Sequence, residues 1–125
     1  MGEVYAMELE GFKTLSMYSC ADAEKDGIMF DITRINPAWK NGLFNFVTTN
    51  LLSKGYMTYD GDMNIPNILD LLNQANRIIR EKSLNFKEYD SFFSGDIELP
   101  DGMRQDIFMQ LNETEKFTIM LPEDY

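Results

Sequence analysis

The sequence predicts a single α+β domain over residues 1–125: a mainly antiparallel sheet carrying one long amphipathic helix and several short ones. Three observations predict it. Residues 66–82 repeat apolar side chains at spacings of three and four, the period of a helix with one buried face. Residues 103–111 and 117–121 read as strands with apolar residues at every second position. The 125-residue chain is 44% hydrophobic and 13% aromatic, enough for one packed core, and it has no internal repeat or low-complexity tract.

Residues 1–17 have no clear period and are expected to be a loosely ordered or edge-strand segment. Ser19 is an N-cap, with Asp22 three residues on to suit the positive end of a short helix. Asp26-Gly27 stops that helix, because glycine takes the left-handed conformation that ends one. A strand follows over residues 28–32, with Ile28, Phe30 and Ile32 on one face and Met29 and Asp31 on the other. The Asp31 carboxylate is placed to accept from amides at the Thr33 turn. Pro37 opens a helical turn that Asn41-Gly42 closes. Phe44 and Phe46 are read as leading into a helix at residues 47–54, stopped by Gly55, and residues 59–64 as a turn-rich loop.

Pro66 starts the long helix. Ile68, Leu71, Leu72, Ala75, Ile78 and Ile79 make its buried face, opposite Asn67, Asp70, Gln74, Arg77 and Glu81. Burying its large aliphatic side chains contributes ~1.5–3 kcal/mol each. Residues 84–93 are rich in aromatics and are read as strand, with turns at Ser94-Gly95 and Pro100-Asp101-Gly102. Met103, Gln105, Ile107, Met109 and Leu111 share one strand face, residues 112–116 form a hairpin tip, and Phe117, Ile119 and Leu121 point inward. Three sequential strands on short links imply an antiparallel meander packed under the long helix.

Charge narrows the function. The net charge is −10, from 21 acids and 11 bases, with no histidine. Ten of the acids but only three of the bases lie in residues 84–125. Such a surface repels nucleic acid and anionic membranes and suits a basic partner. No apolar run reaches the ~18 residues of a membrane span, and the first residues lack the pattern of a secretory signal. A single cysteine, Cys20, makes no internal disulfide, and the expected compartment is the cytoplasm.

Little in the chain points to catalysis. Without histidine, the commonest general base and metal ligand is missing. Asp60, Asp62 and Asn64 have the spacing that opens a calcium loop, but Ile65 and Leu71 stand where glycine and glutamate are required. Cys20 lies in a first helical turn, where amides lower a thiol pKa, yet has no histidine partner and reads as a small filler. Glu88, Asp90, Asp96, Glu98 and Asp101 read as charges that keep a sheet edge from aggregating. Asn112-Glu113-Thr114 reads as a polar hairpin tip. No catalytic residue, metal or cofactor is assigned. Binding is better supplied: Trp39, Tyr56, Tyr59, Tyr89, Phe92 and Phe93 exceed what one small core needs. The candidate binding residues are Tyr56, Tyr59, Tyr89 and Phe93, with the acids Glu88, Asp90, Asp96 and Glu98.

The segments ADAEKDGIMFDIT, AWKNGLFNFVTTNLL and FTIMLPEDY together resemble a family of small proteins of unknown function. That family occurs on phages, plasmids and other mobile elements of bacteria and archaea. Its members open with a short acidic helix, Asp-Gly and an apolar strand ending Asp-Val-Thr, and finish in a segment like Ile-Thr-Ile-Met-Leu-Pro. The resemblance covers residues 18–125. The tryptophan usual in the family's second segment is missing from residues 47–54. The family brings no established catalytic residues, so the resemblance implies only an accessory gene of a mobile element. The expected function is a non-enzymatic acidic interaction protein that inhibits a host defence system by occluding a basic site on a host protein. A homodimer is a further expectation. One alternative is a nucleotide-binding sponge with a pocket near Lys40, Arg77 and Arg80, and another is a metal-dependent hydrolase using carboxylates such as Asp60 or Asp96.

Overall fold

A computed structural model describes residues 19–83 and 90–125. Ser19 caps the first helix, α1 (Cys20–Lys25), by accepting from the Asp22 amide at 3.1 Å, and Gly27 follows at a φ of 76°. Strand β1 (Met29–Asp31) ends where the Asp31 carboxylate accepts from the Thr33 amide and hydroxyl at 3.0 and 2.6 Å, which opens a 3₁₀ turn at Ile32–Arg34. A second 3₁₀ turn, Pro37–Asn41, is capped by Asn36. Then come β2 (Phe44–Thr48), the short α2 (Thr49–Leu52) and the 19-residue α3 (Ile65–Ser83). Strands β3 (Phe92–Glu98), β4 (Arg104–Leu111) and β5 (Phe117–Met120) complete the chain, followed by a 3₁₀ turn at Pro122–Asp124.

The five strands lie in the order β1-β2-β5-β4-β3. The predicted meander β3-β4-β5 is present, and β2 extends it by pairing parallel to β5, with β1 antiparallel at the far edge. Two local expectations are corrected. Residues 44–48 are strand rather than the approach to a helix, and helix occupies only Thr49–Leu52 of the predicted 47–54. Aromatic and β-branched side chains suit a strand buried on both faces, and every residue of β2 is buried. Ser94-Gly95, read as a turn, sits inside β3. Glycine is needed there for close approach: a Cβ on Gly95 would lie 2.8 Å from Ile78 Cδ1 and 2.9 Å from its Cγ2.

The inner face of the sheet packs under α3. Ile68, Leu71, Ala75 and Ile79 meet Phe93, Ile97, Ile107, Met109, Phe117 and Ile119, while Leu72 and Ile78 are only partly buried at its margin. A bulge at Asn45 lets both Phe44 and Val47 join this core while Phe46 points the other way. On the outer face α1 covers a smaller cluster of Cys20, Ala23, Met29, Phe46 and Met120. Ile28 packs against this second cluster, whereas Phe30 and Ile32 belong to the main core. β5 is therefore buried on both faces: Phe117 and Ile119, with Leu121 after them, point into the main core as expected, and Met120 points into the second cluster. Asn112 donates to Asn45 Oδ1 at 2.9 Å and to Thr118 Oγ1 at 3.0 Å, so the hairpin tip ties the bulge to the meander.

Candidate functional site

Two regions on opposite faces of the sheet present organised side chains. The first is the outer face over β3 and β4. Period-two alternation sends Phe93, Ile97, Ile107 and Met109 to the core, and Phe92, Ser94, Asp96, Arg104, Asp106 and Phe108 outward. α1 ends its cover at Met120, with Phe108 at the border. Tyr125 reaches the same place from the last 3₁₀ turn, which Asp124 anchors by accepting from Thr48 Oγ1 and Asn50 Nδ2, both at 2.7 Å. The rings of Phe92, Phe108 and Tyr125 then meet edge to face, with centroids 5.0, 5.6 and 5.7 Å apart. Phe92 remains 39% and Tyr125 47% exposed, so this is a surface cluster and not a third core.

Carboxylates flank these rings. Asp96 and Asp106 stand directly opposite one another across β3 and β4, an arrangement that costs stability between like charges. Arg104 offsets part of it through an ion pair to Asp96 at 2.7 Å. Glu98 and Asp106 have no carboxylate partner among the described residues.

The second region is a groove between α3 and the chain leading into β2. One chamber of about 310 Å³ is lined by Trp39, Asn41, Gly42, Leu43 and Phe44 on one wall and by Leu69, Leu72, Asn73 and Asn76 on the other. A second, of about 340 Å³, shares Leu43 and Asn76 and continues past Ile79, Arg80, Asp90, Phe93 and Phe117. The α3 positions recur every three or four residues, which places them in one stripe along the helix. Lys116 Nζ donates to Gly42 O at 2.5 Å and so sets a second cation at the rim.

Of the predicted binding residues, Tyr56 is fully buried in the main core and Phe93 is 6% exposed on its edge, where it also lines the groove with Asp90. Tyr59 is fully exposed on a loop, Asp96 is ion-paired to Arg104, and the Glu98 backbone bonds Gln74 on α3 at 2.9 Å in both directions. Glu88 and Tyr89 lie outside the described residues. The structure thus does not gather Tyr56, Tyr59 and Asp96 into one surface. Of Lys40, Arg77 and Arg80, only Arg80 lines the groove. Phe108, Tyr125 and the groove asparagines escaped sequence reasoning. Strand alternation around Ile107 and Met109 was the available signal for Phe108; the groove residues come from separate segments and left none.

The reactive groups serve the fold. Cys20 is buried, its amide donates to Glu113 Oε2 at 2.6 Å, and burial, aided by the Glu113 charge, pushes its thiol up to about 12. That is the reverse of thiolate activation. Asn64 caps α3 by accepting from the Asn67 amide at 3.1 Å, so its side-chain oxygen already serves the helix. Among the described residues no three acidic or thiol side chains converge as a metal site would require, and no helix is long and apolar enough to cross a membrane. The chain matches no protein-family model, no curated protein and no solved structure, so the resemblance to mobile-element proteins stands on the quoted motifs.

Proposed function

We propose that this is a non-enzymatic binding protein whose outer sheet face engages a basic, partly apolar surface of a partner protein. The observation that carries this reading is the exposed Phe92–Phe108–Tyr125 cluster flanked by Asp96, Glu98 and Asp106. Aromatic anchors bordered by charge are the usual makings of a protein interface. The like-charge pair Asp96–Asp106 supports the same reading, because a bound cation from the partner relieves a repulsion that the free protein bears. The overall charge of −10 steers such a partner toward the face. The resemblance to mobile-element proteins makes a host defence protein with an exposed basic site the kind of target expected, blocked one to one.

The test is affinity capture from host lysate with the wild-type chain and with a Phe92→Ser/Tyr125→Ser variant, at low and high salt. A basic protein retained by wild type, lost with the variant and weakened by salt is the expected result. Retention indifferent to both changes, or repeated turnover of a substrate by the purified protein, would remove the proposal.

A further inference from the structure

The groove lies apart from the outer face and has its own lining chemistry. Its amides are the first sign. The described residues include twelve asparagine and glutamine side chains, and eight of them bond within the fold. Three of the other four, Asn41, Asn73 and Asn76, line this one groove with no hydrogen-bond partner among the described residues. Asn41 and Asn73 are exposed and Asn76 is half-buried, so their amide donors and acceptors, uncommitted to the fold, are open to a ligand that displaces water from the groove.

The remaining walls say which ligand. Trp39 gives an aromatic face on one wall, with Leu69, Leu72, Asn73 and Asn76 of α3 on the other. Arg80 follows Asn76 one helical turn along α3, about 6 Å by helix rise. Lys116 holds its ammonium at the rim on Gly42 O. Asp90 is the only acid lining the groove among the described residues; it makes no ion pair with Arg80. Within a strongly acidic chain this recess is rich in amides, with Arg80 balancing Asp90 among its described lining residues and Lys116 at the rim. The geometry points to a small ligand with a planar heteroaromatic ring and an anionic group about one helical turn away, the chemistry of a nucleoside phosphate. The ring lies against Trp39 with its edge on Asn73 and Asn76, and the phosphate reaches Arg80. Asp90 accepts from sugar hydroxyls. The two chambers, about 310 and 340 Å³, suit a ligand of that size. The distant acids oppose it weakly, because charges beyond about 8 Å are largely screened at physiological salt.

The chain supplies its own reporter, since Trp39 is the only tryptophan. Adenosine, guanosine, cytidine and uridine 5′-monophosphates, the four nucleosides and inorganic phosphate are titrated against the intact protein with excitation at 295 nm. Saturable Trp39 quenching is expected for at least one nucleotide, with its nucleoside about ten-fold weaker or more. Inorganic phosphate alone leaves the signal unchanged. Arg80→Gln is expected to bring nucleotide binding down to the nucleoside level, and Asn76→Leu to weaken both; circular dichroism checks that each variant is folded. Absence of saturable quenching with every nucleotide overturns the site, and equal affinity for nucleotide and nucleoside overturns the role of Arg80.

Discussion

The open face over β3 and β4 and the groove beside α3 lie on opposite sides of one sheet, and they reach chemical order by different routes. The outer face is local. Phe92 and Phe108 alternate with the core residues Phe93 and Ile107, and their rings pack on one another and on Tyr125. The groove is assembled: the turn before β2, one stripe of α3 and the entry to β3 each contribute a wall. The first offers aromatic rings among carboxylates, with Arg104 and Lys82 beside them, and the second offers amides, Arg80 and Asp90 around one indole. The sheet lies between these two chemically different surfaces.

Gly95 gives the sharpest way to break this separation, because it holds α3 against the strand whose other side is the open face. Gly95→Val drives its side chain into Ile78 and should cost about 1–3 kcal/mol in urea denaturation. Nucleotide quenching and partner retention should then decline together. Next is Tyr56→Phe. The Tyr56 hydroxyl is buried without a hydrogen-bond partner among the described residues, and removing it should raise stability by about 1 kcal/mol while leaving both surfaces intact. A loss of stability there would mean that the hydroxyl has a polar partner. Phe92→Ser should cost less than about 1.5 kcal/mol of folding, since it removes edge-to-face ring contacts at a half-exposed position. It should abolish partner capture and leave Trp39 quenching unchanged. The converse separation is expected of Arg80→Gln, within about 0.5 kcal/mol of wild-type stability.

Stability should also depend on pH at both extremes. Burial raises Cys20 from 9.0 and Tyr56 from 10.0, each to about 12. The folded state keeps protons that the unfolded chain releases, so stability falls as pH rises from about 9 toward 12. Tyr56→Phe should flatten part of that fall in pH-dependent melting. On the acid side the Cys20 amide holds the Glu113 carboxyl below its usual value. Its contribution is present above the unfolded carboxylate range and is lost as pH falls through the lowered folded value. Glu113→Gln should remove that part of the acid slope.

Much of the fold was legible because its signals are local. Ser19, Gly27 and Asp31 act on amides within three residues of themselves, and the 66–82 periodicity needs only the helical repeat. Reading failed where a distant element overrode the local pattern. Ser94-Gly95 has turn chemistry, but Ile78 of α3 requires a glycine within the strand. Residues 44–48 became strand because β1 and β5 offer pairing on both sides. The site residues follow the same rule: sequence pointed to Phe93, and strand register put the neighbouring Phe92 outside.

By itself the sequence determined the α+β class, the caps and stops, the buried stripe of the long helix and the acidic balance of the chain, since each follows from residue type and short-range spacing. Tertiary structure alone decided that β2 joins β5 in parallel, that Tyr125 closes onto Phe92 and Phe108, and that Trp39 faces Asn73 and Asn76 across one groove. Those pairings join segments far apart in the chain. Packing and strand register choose them, and no spacing rule within a single segment encodes them.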